Sequence, residues 1–147
     1  MIELKNITQK DIDTCLSLSV APWQEKFAAP IADSLARAYV NPDHLIPLII
    51  HLDGVPIGFL LFHLYPKTNN ILLQEFLIDR HFQSKGYGTD ALRKFVEYAE
   101  QIKPFQTLYT ITAIGNTWAK HTLEYAGFMR GAVDIEERAI EMVYILQ

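Results

Sequence analysis

The chain has 147 residues, the size of one compact domain, and half of them are hydrophobic with 12% aromatic, which excludes a disordered chain. Thirteen basic against seventeen acidic residues leave a net charge of −4, the wrong sign for gripping a nucleic-acid duplex but suited to a small cation. Cys15 is the only cysteine, which excludes an internal disulfide and any multi-cysteine metal site. Residues 1–6 carry charge and lack a signal peptide's apolar stretch. The longest central apolar run, residues 45–50, is interrupted by Pro47 and too short to span a bilayer. A soluble cytoplasmic domain with no membrane or nucleic-acid partner is expected.

In chain order, residues 1–8 alternate as an opening strand does. Thr8 is placed to cap a helix with Ile12, Cys15, Leu16 and Leu18 on one face, where Cys15 reads as core. An aromatic connection over residues 22–27 leads to a helix over 32–40 that Pro42-Asp43 stops. Two strand-like runs, 45–52 and 56–64, flank Asp53-Gly54, a hairpin signal, and a third run covers 71–79. Apolar Ala91, Leu92, Phe95, Val96 and Ala99 then recur at helical spacing over 88–101, and Pro104 precedes a strand over 108–114. A strand–helix–strand unit of this length predicts a parallel pair. Asn116 opens a last helix, Gly127 stops it, and strands over 128–134 and 140–146 finish the chain. The pattern predicts one α/β (α+β) domain over 1–147, a mixed, mostly antiparallel sheet with helices on its faces.

Between the third strand and the long helix lies Gln83-Ser84-Lys85-Gly86-Tyr87-Gly88-Thr89. Its glycines let the backbone approach a ligand closely, and amides at a helix N-terminus suit a pyrophosphate; two glycines alone fit a plain turn as well. A Rossmann loop is excluded because residues 80–85 separate the glycines from the strand, and no P-loop Gly-Lys-Ser/Thr is present. His44, His51, His63, His81 and His121 have no ligand spacing, so no metal is expected.

Phe76-Leu77-Ile78-Asp79, four residues, then Gln83-x-x-Gly86-x-Gly88 resembles the acetyl-CoA signature of the GNAT superfamily of N-acetyltransferases. Asn116-x-x-Ala119 and Gly127-Phe128 resemble its second signature, and the element order fits that fold over essentially the whole chain. Residues 24–30, 34–39 and 55–59 are similar to stretches of its spermidine/spermine (diamine) branch. The resemblance implies an acyltransferase (EC 2.3.1 type) moving an acetyl group from acetyl-CoA to a primary amine of a small molecule, a polyamine or diamine first, and is compatible with a homodimer. It implies that Gln83, Ser84, Lys85, Gly86, Tyr87, Gly88 and Thr89 cradle the pyrophosphate, and that a β-carbon at either glycine would push the phosphates away. It further implies that Phe76, Leu77 and Ile78 hold the pantetheine by backbone bonds and that Asn116 and Ala119 reach the cofactor.

Glu75 is the one carboxylate within the central strand and hence the candidate base, with a solvent-facing strand residue as the plain alternative. Many relatives carry the acid one residue earlier, where this chain has Gln74, and adjacent strand residues face opposite ways. Gln24 and Glu25 are candidate substrate contacts, and Glu25 is also a second candidate base. The family's tyrosine acid, seven residues after the asparagine, is replaced by Leu123; Tyr125 and His121 each lie about 200° around the helix from it. That replacement keeps open a non-catalytic CoA-binding sensor, and a peptide N-terminal acetyltransferase is a third reading.

Overall fold

The computed structural model describes residues 1–147. In order it contains β1 (Ile2–Lys5), α1 (Ile12–Ser17), a 3-10 turn (Pro22–Phe27), α2 (Ile31–Tyr39), β2 (Leu45–Leu52), β3 (Val55–Tyr65), β4 (Asn70–Ile78), α3 (Tyr87–Glu100), β5 (Thr107–Ala113), α4 (Thr117–Tyr125), β6 (Met129–Asp134) and β7 (Ala139–Ile145). One seven-stranded sheet runs β1-β2-β3-β4-β5-β7-β6, with β4 and β5 parallel and the other neighbours antiparallel. The predicted class therefore holds. At the β2–β3 hairpin Asp53 and Gly54 take φ of 50° and 82°, the two positive values that a two-residue type I′ turn requires.

The sheet separates two cores. The larger, under α3 and α4, gathers Leu60, Phe62, Ile71, Leu73, Ile78, Leu92, Phe95, Leu123 and Met142. The smaller, under α1 and α2, gathers Cys15, Ile31, Ala38, Leu45, Ile49, Phe59, Leu61 and Leu77. Burial of the α3 stripe explains why a glycine-opened segment holds a fourteen-residue helix. Two local expectations at α1 differ from the structure. Thr8 donates its hydroxyl to Asp11 instead of capping the helix, and Leu16 is exposed, because α1 ends at Ser17 after too few turns to bury a full stripe. No helix is long and apolar enough to cross a membrane.

Two irregularities create the site. Leu61 pairs with Glu75 and Phe62 with Leu73, so Gln74 is an extra residue in β4, a bulge. Past it the alternation is reset: Ile71, Leu73, Phe76 and Ile78 meet the larger core and Leu77 the smaller. β4 and β5 pair only from Asn70↔Thr107 to Leu72↔Tyr109 and then separate. The last tie between them is the Thr110 hydroxyl, which donates to the Leu73 carbonyl at 2.7 Å in a buried setting.

Candidate active site

Past Thr110 the two strands open into a small cavity of about 70 Å³ lined by Phe27, Leu73, Gln74, Glu75, Phe76, Thr110, Ile111, Thr112, Asn116, Ala119 and Leu123. Glu75 reaches it from β4 and, with Leu77, belongs to the side of α1 and α2. The extra residue shifts the facing of β4 by one position, so Glu75 shares the face of Leu77. Burial pushes the Glu75 carboxyl above its ordinary range, the backbone N–H of Ala29 opposes that rise, and the negative charge of Asp33 adds to it.

Ala29 also lines a second hollow on that side, a groove of about 470 Å³ walled by Leu16, Leu18, Val20, Ala28, Pro30, Ile31 and Leu77 with Glu25 as its carboxylate. Glu25 therefore stands in a mostly apolar groove that Leu77, on the same face of β4 as Glu75, also walls. Gln24 does not. Its side chain is 3% exposed, and its Oε1 accepts from the Ala21 N–H at 3.0 Å and from Gln83 Nε2 at 2.9 Å.

The glycine loop forms the third hollow, about 250 Å³, lined by Ile78, Gln83, Ser84, Gly86, Gly88, Thr89, Trp118, His121, Thr122 and Tyr125. Gly86 precedes α3 at φ 85°, and Ser84 also has positive φ at 65°. Backbone of this alternating kind turns successive N–H groups toward one concavity, where the positive end of the α3 dipole adds to them. These features fit a pyrophosphate. Lys85 is exposed, Tyr87 packs its ring on the larger core and contributes only backbone to the loop, and Ile78 gives its carbonyl to Gln83 Nε2 at 2.8 Å. Both glycines also have a reason within the protein itself. A β-carbon at Gly88 would lie 3.1 Å from both Thr122 Cγ2 and Trp118 Cζ2, whereas one at Gly86 meets nothing within 4 Å. Gly88 is required for the approach of α4, and Gly86 for its dihedral.

α4 closes two hollows with opposite faces. Asn116 caps it, accepting from the Ala119 N–H at 3.2 Å, and both residues line the cleft. Leu123, 4% exposed, lines the cleft and packs in the larger core. His121 and Tyr125 face the glycine-loop hollow instead, as their angular offset from Leu123 requires. Trp118, stacked on Phe76 with ring centroids 5.8 Å apart, and Thr122 join that wall. The sequence reading missed these two residues, although their spacing on the helix with His121 and Tyr125 marks a single face.

At the end of β4, Asp79 is buried and accepts from the N–H groups of Ser19 and His81 and from His81 Nδ1. Burial alone would raise its pKa, but those bonds together hold it below the ordinary range. No group of three His, Cys, Asp or Glu is gathered as a metal site.

The sheet thus parts between a bulged strand and its parallel neighbour, and a glycine loop opens a helix at the parting. The acetyltransferase (GNAT) family model matches residues 9–128, and the chain belongs to that family of acetyltransferases. It is 25% identical over 133 residues to a probable spermine N(1)-acetyltransferase of Bacillus subtilis subsp. natto (strain BEST195), covering 86% of this chain and 87% of that protein. The fold is similar to spermidine N-acetyltransferase from Vibrio cholerae in complex with CoA and spermine, with a TM-score of 0.81 at 15% identity over 98% of this chain and 95% of that one. It is equally similar to an aminoglycoside acetyltransferase in complex with coenzyme A and kanamycin, with a TM-score of 0.81 at 20% identity over 99% and 95% of the two chains.

Proposed function

We propose that this protein transfers the acetyl group of acetyl-CoA to a primary amine of a small polycation, a polyamine or diamine. The observation that carries the reading is Glu75, half-buried at the bulge of β4 and lining the parted strands, on the same sheet face as Leu77, which walls the Glu25 groove. The loop amides from Gln83 to Thr89 hold the pyrophosphate, and the edge of β4 beyond Leu73, left without a strand partner by β5, receives the pantetheine arm through backbone groups. Acetyl-CoA, bound in this way, supplies an activated thioester in the cleft.

Glu75 takes the proton of the incoming ammonium, directly or through a water, so that the free amine attacks the carbonyl carbon. Its raised pKa brings it nearer to working pH, which favours a general base. As the C–S bond breaks, the sulfur leaves as a thiolate; with a thiol pKa of about 8.5, water is a sufficient proton donor where Leu123 replaces the usual tyrosine. Glu25 attracts the cation, and the methylene segments of a polyamine suit the apolar walls of its groove better than a polyhydroxylated aminoglycoside does.

Free-thiol release from acetyl-CoA, measured over spermidine, spermine, kanamycin and a short peptide, tests the reading. Spermidine or spermine should give the highest kcat/KM, and a protein that acetylates neither overturns the substrate assignment. Loss of Glu25 by Glu25→Gln should raise the KM for spermidine, with a difference that narrows as salt is added. Buried Leu123 favours one other reading, a CoA-binding module without turnover. Acetyl-CoA binding with no thiol release for any amine would select it.

A further inference from the structure

Glutamine 24 is the least expected polar side chain in the molecule. It sits 3% exposed within the six-residue 3-10 turn that also carries Glu25 and Phe27, and its Nε2 has no hydrogen-bond partner. An unmet buried donor is costly, so a folding role alone explains this residue poorly. Its Oε1, by contrast, is fully used. It accepts from the Ala21 N–H at the head of the turn and from Gln83 Nε2, and Gln83 places its other amide hydrogen on the Ile78 carbonyl. The first residue of the cofactor loop, the end of the cofactor strand and the acceptor-side turn are thereby joined through two side chains.

We infer that Gln24 is a positioning residue that couples occupancy of the cofactor loop to the placement of Glu25 and Phe27 at the acceptor side. The inference rests on the reading that the glycine loop holds acetyl-CoA. Phe27 lines the cleft and Glu25 the acceptor groove, so the turn borders both places where substrates meet. Short 3-10 helices have poor internal hydrogen-bond geometry, so the orientation of this one depends on its outside ties. A ligand that fixes the loop backbone fixes Gln83, and with it Gln24. By linkage, the Gln24 bond in turn preorganises the loop for its ligand. The upstream anchor is separate: Ser19 bonds Asp79 Oδ2 at 3.0 Å, and its carbonyl accepts from the Arg80 N–H at 2.7 Å. Gln24→Met is similar in volume but removes the acceptor of the Ala21 N–H and of Gln83 Nε2, so some loss of stability is expected, while the Ser19 bonds keep the upstream connection anchored.

The test is amide hydrogen exchange with 3′-phospho-ADP, the nucleotide half of coenzyme A, which fills the loop but has no arm to reach the cleft. In the wild-type protein the probe should slow exchange at residues 83–90 and, by about tenfold, at 21–28. In Gln24→Met the slowing at 83–90 should remain and that at 21–28 should disappear, while the dissociation constant for acetyl-CoA rises about tenfold. Gln83→Met cuts the same bond from the other end and should likewise abolish the slowing at 21–28. In a double-mutant cycle on acetyl-CoA affinity the two losses should not add. Slowing at 83–90 without any at 21–28 in the wild type overturns the coupling and leaves the cofactor reading standing, as does slowing at 21–28 that persists in both variants. No slowing at either segment removes the cofactor reading and the coupling with it.

Discussion

Replacing Glu75 by glutamine separates what its charge does from what its shape does. The two side chains have nearly the same volume and shape, so the cavity walls keep their form. What is lost is the proton acceptor. General-base catalysis is worth about 10²–10⁴-fold, and a primary amine of pKa ~10 is almost fully protonated at neutral pH, so kcat/KM for spermidine should fall by roughly 10²-fold or more near pH 7. The deficit should shrink as the pH approaches the pKa of the amine, because a growing fraction of it then arrives already neutral.

Stability should move the opposite way. Burial raises the pKa of Glu75 in the folded protein above its unfolded value of about 4.3, so the native state prefers the protonated form. The favourable contribution is present below the unfolded pKa and is lost as pH rises through the folded pKa, so the ionised carboxylate is a burden at pH 7. Glu75→Gln should therefore have a higher Tm than the wild type at pH 7, and the gap should close as the pH is lowered past about 4. Paired measurements of kcat/KM and of Tm against pH check both halves. An unchanged pH–rate profile removes Glu75 as the base, and a lower Tm for the variant at pH 7 refutes the burial argument.

Other expectations follow from single contacts. Gly88→Val should weaken acetyl-CoA binding more than tenfold by calorimetry, because its methyls would drive Trp118 and Thr122, 3.1 Å from the first added carbon, off the loop. Leu123→Tyr adds bulk to a residue 4% exposed and should cost about 1–3 kcal/mol of stability, yet leave turnover at or above the wild-type rate by placing a hydroxyl at the cleft. A folded Leu123→Tyr protein with hundredfold slower thiol release would show that this position packs against the substrate. Thr110→Val leaves the buried Leu73 carbonyl without its donor at 2.7 Å, a loss of about 1–3 kcal/mol that should lower Tm by roughly 2–12 °C in thermal denaturation.

Most of the fold was legible in the sequence because its signals are local. Helical spacing from Ala91 to Ala99 and the Asp53-Gly54 turn depend on neighbours within a few positions, as does the Asn116 cap, and each recurs in the structure. The glycine loop was legible for the same reason, since its residues are consecutive. Three features depended on partners distant in sequence. The bulge at Gln74 exists only in the register of β4 against β3, and it alone decides that Glu75 turns toward α2. The role of Gly88 is set by α4, thirty residues on, and so is the division of that helix into a cleft face and a loop face. Gln24 looked like a substrate contact from its place beside Glu25, but its side chain is bonded to Gln83, fifty-nine residues away in the glycine loop. Short-range periodicity and turn chemistry determine which elements form; register, close packing and long-range hydrogen bonds, which arise only when those elements meet, decide which side chains share a site.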